Sequence, residues 1–322
     1  MACLTIVRAG PQTTVQDLGR PNHRREGVSL GGALDRQAAR VANLLVGNPE
    51  TAALLEITLG PAVLRFPDRR AIAWGGGEFP LQIEVTEIPA GRAACIDPEE
   101  ELTVGPARRG ARAWLAISGG IDLPPLLGSR ATDLRAGFGG LAGRALRDGD
   151  ELPLGVAAPP NQTGRVATWG APADWMQTSR RILVLRVVRG AEWPDFKAEA
   201  RSVLQEESFV VSPQSDRMGA RLAGRELRRR AEIERLSEAV VPGTIQVPND
   251  GQPIILLGDC QTIGGYPRIA HVITVDLPLA AQLRPNDVVR FREVTLAEAR
   301  AFLVERESDF DLFRAGIRLR TL

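Results

Sequence analysis

The sequence predicts a mainly β protein made of two tandem homologous domains with a few short helices. Two observations lead to this fold class. Between residues 53 and 155, short apolar runs alternate with turns that contain glycine or proline, a spacing typical of a β-barrel or a β-sandwich. An ordered series of residues also recurs at a nearly constant distance along the chain, which indicates an internal duplication.

In the first domain, the β-branched run at residues 4–7 predicts an opening strand. Residues 11–20 are polar, and Pro11 with two threonines disfavours a helix there. Asp35 is the predicted N-cap of a helix over residues 36–46. The strands predicted after this helix are residues 54–57, 62–66, 71–74, 81–85, 94–96, 102–104, 113–117 and 152–154.

The pattern restarts at residues 182–188 with a second strand-like run. D-R-Q-A-A-R-V-A at 35–42 corresponds to D-R-M-G-A-R-L-A at 216–223, an offset of 181 (216 minus 35). We therefore predict two homologous domains, residues 1–170 and 171–322, and we expect the helix start to recur at Asp216. The predicted boundary falls in the polar stretch 159–181, and further helices are predicted over 192–201 and 296–305.

Arg36 and Arg217 would each lie in the first turn of a helix, where the helix dipole disfavours a cation by roughly 0.3–1 kcal/mol. Each arginine therefore needs an anionic partner. That partner is either a carboxylate, such as Glu56 or Glu238, or a ligand anion.

Composition excludes several classes of function. The net charge of +1 gives no support for nucleic-acid binding or for a basic membrane surface. Lys197 is the only lysine, so the chain has neither a G-x-x-x-x-G-K-[ST] phosphate loop nor a lysine in a biotin-carrier context. The scattered cysteines predict no disulfide framework, and His23 and His271, the only histidines, make a histidine-based metal site improbable.

No apolar run reaches the roughly 20 residues that a membrane span needs. The N-terminal residues enter a strand-like pattern without a basic and then apolar signal region. We therefore expect a cytoplasmic protein.

Residues 246–271 form the first candidate ligand site. An apolar strand at 254–257 follows the hairpin signal Asn249-Asp250-Gly251 and leads into a polar loop hinged at Gly264-Gly265. Such a loop is suited to ligand binding, although it is also consistent with a structural turn. We favour the C-terminal domain for the site because residues 258–268 are more polar than the corresponding residues 75–78.

Residues 128–133 form a second glycine-rich polar cluster. Backbone amides freed by the glycines, together with Ser129 and Arg130, either cradle an anion or form tight barrel turns. Residues 137–144 are too rich in glycine for a regular element, and we expect a mobile loop that acts as a lid or a docking surface.

Distinctive motifs occur along nearly the whole chain, from Leu4 to Phe291. They are Q-T-T-V-Q-D-L-G-R, G-G-A-L-D-R-x-A-x-R-x-A-N-L-L-V-G-N, L-E-I-T-L-G-P, S-G-G-I-D-L-P, L-G-S-R-A-T-D, S-D-R-M-G-A-R-L-A-G, S-E-A-V-V-P-G-T-I-Q-V-P-N-D-G-Q-P-I-I-L-L and D-C-Q-T-I-G-G-Y-P-R-I-A. Together these motifs resemble the family of 5-oxoprolinase C subunits, also called KipA, allophanate hydrolase subunit 2 or the biotin-dependent carboxyltransferase-domain family. The resemblance implies a pair of cyclophilin-like β-barrel domains.

The resemblance also implies a component of an enzyme that opens 5-oxo-L-proline to L-glutamate with ATP and Mg²⁺. It would act with a KipI-like B subunit and a LamB/YcsF-like A subunit. A five-membered lactam is a poor electrophile, and phosphorylation of its amide oxygen creates a leaving group that water displaces. Such a site needs fixed cations or amides for carboxylate and phosphate groups, and acids for magnesium.

Residue chemistry and motif position together give the candidate roles. Arg217, Asp250 and Asp259 are the candidate catalytic residues, and the two aspartates are the candidates for holding magnesium or transferring a proton. Guanidinium groups bind carboxylates and phosphates through two hydrogen bonds. The candidate substrate- or nucleotide-binding residues are Arg36, Gln246, Gln261, Thr262, Tyr266, Arg268, Ser129 and Arg130.

Two other functions remain open. One is carboxyl transfer from biotin to urea or a related amide, which would require a biotin carboxylase and a carrier in trans because this chain has no site for covalent biotin. The other is a KipA-like regulator that sequesters a KipI-like inhibitor of a kinase.

Overall fold

The computed structural model describes residues 2–157, 164–172, 175, 182–231 and 236–321. Contacts between residues divide the chain into two compact units. The first consists of Met1–Arg20, Gly31–Ser179 and Leu312–Leu322, and the second of Pro21–Leu30 and Arg180–Asp311. The predicted mainly β class is confirmed. In the described part of the chain, no helix has both the length and the hydropathy needed to cross a bilayer.

The strands of the first unit form a six-stranded sheet, ordered β11-β1-β4-β9-β6-β7, and a five-stranded sheet, ordered β2-β3-β10-β5-β8. Every predicted strand of this unit is present, with ends that shift by up to four residues, and β2 and β7 are additional strands. The strands are β1 (Cys3–Arg8), β2 (Gln12–Gln16), β3 (Leu54–Thr58), β4 (Ala62–Arg65), β5 (Arg70–Glu78), β6 (Leu81–Ile83), β7 (Thr86–Glu87), β8 (Ala94–Ile96), β9 (Glu101–Val104), β10 (Arg109–Ile117) and β11 (Glu151–Pro153).

Side chains from both sheets pack into one hydrophobic core. In β1, Leu4 and Ile6 are fully buried while their neighbours are partly exposed, the period of two that a half-buried strand requires. Leu64 of β4 and Leu115 of β10 lie in the same core cluster. Full burial of one such aliphatic side chain contributes about 1.5–3 kcal/mol relative to exposure.

The helix predicted after Asp35 is α1 (Arg36–Leu45). The Asp35 carboxylate accepts a hydrogen bond of 2.8 Å from the backbone amide of Ala38, as an N-cap does. The helix buries Ala38, Val41 and Leu45 among other side chains. The predicted helix start and end are thereby confirmed to within one residue.

The second unit contains a closed barrel of seven strands, ordered β12-β19-β16-β17-β14-β13-β20. A parallel pairing of β12 with β20 closes it. A separate hairpin pairs β15 with β18. The strands are β12 (Ile182–Arg189), β13 (Phe209–Val211), β14 (Gly219–Ala223), β15 (Glu238–Ala239), β16 (Thr244–Gln246), β17 (Ile254–Leu256), β18 (Ile263–Gly264), β19 (Arg268–Val272) and β20 (Val288–Glu293).

The helices of the second unit are short except for the last, whose residues 312–321 are assigned to the first unit. The predicted helix over 192–201 is a 3₁₀ turn, Trp193–Asp195, followed by α2 (Ala198–Glu206). The helix α3 (Leu277–Ala280) follows another 3₁₀ turn, Thr274–Asp276. The last helix, α4 (Leu296–Thr321), is much longer than the predicted residues 296–305. A third 3₁₀ segment, Pro21–Glu26, also belongs to this unit.

The expected second helix start at Asp216 is wrong. Asp216 lies in a turn, where its carboxylate accepts hydrogen bonds from the amides of Met218 (2.7 Å) and Gly219 (3.1 Å). The residues that follow form β14, which pairs with β13 and β17 in the barrel. Pairing with strands that are distant in sequence therefore determines the local structure at Asp216. Because Arg217 does not lie in the first turn of a helix, the expected unfavourable effect of a helix dipole on its charge does not apply. The division into repeats at residues 170 and 171 remains a prediction.

The glycine-rich loop at residues 137–144, expected to be mobile, is held by many hydrogen bonds. The amide of Gly140 donates to the carbonyl of Arg130 at 3.0 Å. The Arg144 guanidinium binds both carboxylate oxygens of Asp150, at 2.7 and 2.8 Å. Leu141 packs against the core of the first unit. These contacts favour a packed loop over a lid.

We expect Gly140→Ala to destabilise the first unit more than the matched Gly137→Ala. Both glycines have positive φ, +51° and +70°, so each alanine costs roughly 1–2 kcal/mol through its backbone. A Cβ at residue 140 would overlap Oγ1 of the buried Thr132, whereas a Cβ at residue 137 meets nothing within 4 Å. That overlap adds about 1–3 kcal/mol. Urea unfolding measures the difference, and equal losses in the two variants would contradict the packing of the loop on Thr132.

Candidate functional site

The predicted anion cradle at residues 128–133 surrounds an internal carboxylate, that of Asp17. One carboxylate oxygen accepts from the hydroxyl of Ser129 (2.6 Å) and the amide of Gly19 (2.7 Å), and the other accepts from the amide of Arg130 at 2.6 Å. The Arg130 side chain binds Asp122 at 2.9 Å. Ser129 and Arg130 thus bind a protein carboxylate at the position where the sequence predicts a ligand anion.

Arg36 lies in the first turn of α1, as predicted. Its guanidinium donates a hydrogen bond of 2.6 Å to the carbonyl of Leu18. Burial lowers the pKa of Arg36, the charge of Arg40 lowers it further, and the carboxylate of Asp17 has the opposite effect. Glu56 accepts a hydrogen bond of 2.9 Å from the indole of Trp114 elsewhere in this unit.

In the second unit, Arg217 and Asp259 form a buried ion pair. Nε and a terminal nitrogen of Arg217 donate to the two oxygens of Asp259, at 2.8 and 3.1 Å. The side chains are 4% and 5% exposed. The amide of Asp259 also donates to the carbonyl of Arg217 at 3.2 Å. This pair fixes the loop after β17 against the turn before β14.

A second group of predicted residues meets around Gln246, which is buried. Its amide nitrogen donates to the carbonyl of Tyr266 at 3.2 Å, and its amide oxygen accepts from Gln261 at 3.3 Å. Gly264 lies so close that a Cβ there would be 2.7 Å from the Gln246 nitrogen. Thr262 is buried, and its carbonyl accepts from the amide of Val240 at 3.0 Å. The structure thus brings two carboxamides and the backbone of the glycine hinge into contact.

Arg268 borders this group and is neutralised by two glutamates. Glu192 binds its Nε and a terminal nitrogen at 2.8 and 2.7 Å, and Glu238 also accepts from it. The hydrogen bond to Glu192 raises the pKa of Arg268, burial opposes this, and Glu238 adds to the increase. Sequence reasoning missed Glu192, because its partner lies 76 residues away and no local pattern marks it.

A small cavity of about 10 Å³ lies beside Tyr266 and Arg268. It has room for about one water molecule. Tyr266 itself is 50% exposed, so its hydroxyl is accessible from solvent. A larger ligand would therefore require the loop at residues 264–266 to move. The carboxamides offer both donors and acceptors, which complements a ligand that carries an amide.

Asp250 lies apart from this group. It comes before β17 and Asp259 comes after it, so the two aspartates flank opposite ends of that strand. The Asp250 carboxylate accepts from the amide of Gln252 at 3.0 Å, which makes it a turn residue. Within the described ranges, no three His, Cys, Asp or Glu side chains are arranged to hold a metal ion.

His271 follows Arg268 in β19 and is partly buried. Its Nδ1 lies 3.2 Å from the hydroxyl of Thr244. Burial lowers the pKa of His271, the charge of Arg268 lowers it further, and Glu192 opposes both. The neutral imidazole is therefore the form that the folded barrel favours.

We expect separate replacement of Arg217 by Met and Asp259 by Asn to cost about 3–5 kcal/mol each, because each leaves a buried charge uncompensated. The double variant should lose much less than the sum. A double-mutant cycle from urea unfolding measures the coupling. Additive losses would contradict the pairing. Turnover of these variants must therefore be compared at equal folded fraction.

We expect His271 to make the protein less stable in mild acid. Its folded-state pKa is below the unfolded value of about 6.5, so the unfolded chain binds more protons. This contribution to stability is complete above pH about 6.5 and decreases as the pH falls towards the folded-state pKa. The variant His271→Gln should lose less stability than the parent between pH about 7.5 and 5.5. Equal losses in urea unfolding would contradict this.

Residues 26–293 of this chain match the protein family described as carboxyltransferase domain, subdomain A and B. The chain is 40% identical to the C subunit of 5-oxoprolinase from Escherichia coli K12, over 92% of this chain and 93% of that protein. It is 34% identical to the corresponding C subunit from Haemophilus influenzae Rd, over 97% of each.

The crystal structure of the K. lactis urea amidolyase superposes on this chain with a TM-score of 0.89 at 28% identity. The superposition covers 97% of this chain but 20% of that one, so the chain spans about a fifth of the amidolyase. The family match covers most of the chain, and the bacterial 5-oxoprolinase C subunits match it over nearly their whole length. The chain therefore belongs to the family of carboxyltransferase domains, subdomains A and B.

Proposed function

We propose that this chain is the C subunit of an ATP-dependent 5-oxoprolinase, which opens 5-oxo-L-proline to L-glutamate. Its partners would be a KipI-like B subunit and a LamB/YcsF-like A subunit. One observation carries the proposal: the chain matches the E. coli 5-oxoprolinase C subunit over 92% of its own length and 93% of that protein. A sequence match that covers nearly the whole of both proteins supports a shared role better than a match to one part of a larger enzyme.

The polar group around Gln246 supports a substrate with an amide. A lactam presents one N–H donor and one carbonyl acceptor, and Gln246, Gln261 and the accessible hydroxyl of Tyr266 can bind both. When bound, ATP supplies the phosphoryl group that makes the lactam carbonyl reactive. In this proposal the residues around Gln246 orient the ring.

The proposed catalytic roles of Arg217 and Asp259 place a condition on the site. The pair uses two of the five N–H donors of Arg217 and both oxygens of Asp259, so a ligand anion at Arg217 would meet a guanidinium whose charge Asp259 already compensates. The predicted magnesium ligands do not fit a metal site, because Asp259 is bound to Arg217 and Asp250 lies at the other end of β17.

A second function is favoured by the superposition on K. lactis urea amidolyase, with its TM-score of 0.89. This function is carboxyl transfer to an amide, and it uses the same complementarity between carboxamides and an amide substrate. It would require a biotin carboxylase and a biotin carrier from other chains. The two functions differ in product, since one releases glutamate and the other forms a carboxylated amide.

We expect glutamate to form from 5-oxoproline only when this chain, both partner subunits, ATP and Mg²⁺ are present together. Tyr266→Phe should lower kcat/KM by about 2- to 10-fold if the hydroxyl binds substrate, because one lost hydrogen bond costs about 0.5–1.5 kcal/mol. Glutamate release, assayed in the reconstituted complex, measures both effects.

The matched control is Arg300→Ala, which removes an exposed side chain on α4 and should leave turnover unchanged. Unfolding curves of both variants verify that stability is preserved. A verified three-subunit complex that releases no glutamate would reject the 5-oxoprolinase function. Glutamate release with full activity in Tyr266→Phe would reject only the role of the tyrosine.

A further inference from the structure

Strands β15 and β18 form a ribbon that is separate from the barrel and lies against the carboxamide group at Gln246. In this two-stranded sheet Glu238 is opposite Gly264, and Ala239 is opposite Ile263. A Cβ at Gly264 would be 2.7 Å from the amide nitrogen of Gln246, so the ribbon contacts the carboxamide directly. A two-stranded hairpin is at best marginally stable in water by itself. The ribbon therefore depends on its contacts with the rest of the second unit.

Arg268 holds the ribbon through Glu238. Its terminal nitrogens donate to the carboxylate of Glu238 and, at 3.3 Å, to the carbonyl of Ala239. Glu192 binds the same guanidinium, and its side chain is 6% exposed, whereas that of Glu238 is 58% exposed. An exposed ion pair contributes little to stability and is screened by salt. The contact with Glu238 is therefore the one that breaks at low cost, while Arg268 stays bound to Glu192.

Val240 follows β15 and connects the ribbon to a small core cluster. Its side chain packs with Leu256 and with the fully buried Cys260. Its amide donates to the carbonyl of Thr262 at 3.0 Å, and its carbonyl accepts from the Arg24 guanidinium. Movement of the ribbon together with Val240 would uncover the thiol of Cys260. This thiol is thus a natural reporter of the position of the ribbon.

While the ribbon lies in this position, the carboxamide group is closed to a substrate. The adjoining cavity of about 10 Å³ holds about one water molecule. The donor of Gln246 is bound to the carbonyl of Tyr266, and its acceptor is bound to Gln261. An amide ligand offers the same kinds of donor and acceptor, so it can replace these contacts once the ribbon has moved away.

We propose that the ribbon, residues 238–240 with 262–264, is a lid over the carboxamide group, and that the ion pair of Glu238 with Arg268 holds this lid closed. Gly264 and Gly265 form the hinge, because a glycine backbone can change its conformation without a clash at Cβ. The lid sets how fast a ligand reaches the carboxamides, as closing loops do in many enzymes. The identity of that ligand, an amide, rests on the proposed function, whereas the movement does not.

Alkylation of Cys260 by iodoacetamide measures the opening in the isolated full chain, without turnover. Burial raises the pKa of the Cys260 thiol to about 11, so the closed form supplies little of the thiolate that reacts. Cys95, which is buried in the first unit, is the internal reference for a general loss of structure. Peptide mass spectrometry follows both thiols over time in the same sample.

We expect Glu238→Gln to raise the rate of Cys260 alkylation by about two- to fivefold, as for the loss of one exposed ion pair, with no change at Cys95. Salt near 1 M should raise the rate in the parent but much less in this variant, because it screens the same pair. The matched control is Glu226→Gln. Its carboxylate is 52% exposed and binds Arg228 at 2.9 Å in the same unit, and its loss should leave the rate unchanged.

Equal alkylation of Cys260 in the parent and in Glu238→Gln would overturn the proposal. Val240→Ala should also raise the rate, and a failure to do so would contradict the cover of Cys260 by the ribbon. A rate that rises with urea as steeply as global unfolding would overturn the lid too, because the thiol would then react through unfolding of the whole unit. Glutamate release is not part of the test, so none of these results would count against the proposed function.

Discussion

A buried guanidinium needs a carboxylate of matching geometry, and the second unit depends on this constraint. Arg217 with Asp259 and Arg186 with Asp276 are both bidentate pairs with little exposure. Removing an ion from water costs several kcal/mol, and only a well-aligned partner with further hydrogen bonds compensates for it. These pairs join segments that are distant in sequence. One joins the loop after β17 to the turn before β14, and the other joins β12 to the 3₁₀ turn Thr274–Asp276.

This constraint changes how the predicted anion contacts are interpreted. Ser129 and Arg130 bind Asp17, and Arg268 binds Glu192. Internal carboxylates occupy the donors that residue chemistry alone assigns to a ligand. The groups that remain suited to a ligand in this region are the neutral carboxamides of Gln246 and Gln261. Carboxamides offer both donors and acceptors, so they suit an amide better than a highly charged anion.

Much of the fold could be predicted from the sequence, because strand alternation and helix caps are local signals. Asp35 illustrates this, since its side chain begins a helix by a hydrogen bond to a residue three positions later. The wrong prediction of a helix start at Asp216 shows where local signals are insufficient. A sequence similar to that at Asp35 forms a turn and a strand there, because β14 pairs with β17. Pairs such as Arg268 with Glu192 leave no local trace, so the sequence identifies candidate site residues but not the carboxylates that bind them.

The first unit includes residues from both ends of the chain. Phe313 lies edge-on to Trp175, with 5.6 Å between the ring centroids, and Arg314 binds Glu50 at 2.7 Å. Domains generally fold as units and in order of synthesis. Here the unit that is translated first lacks part of its packing until residues 312–321 have left the ribosome. The second unit, complete at residue 311, has all its residues first. Because every buried residue of the core cluster of the first unit lies between Leu4 and Leu154, the C-terminal segment adds its contacts to a core whose residues are translated much earlier. The first unit is therefore expected to gain its last packing only after the second unit has been synthesised.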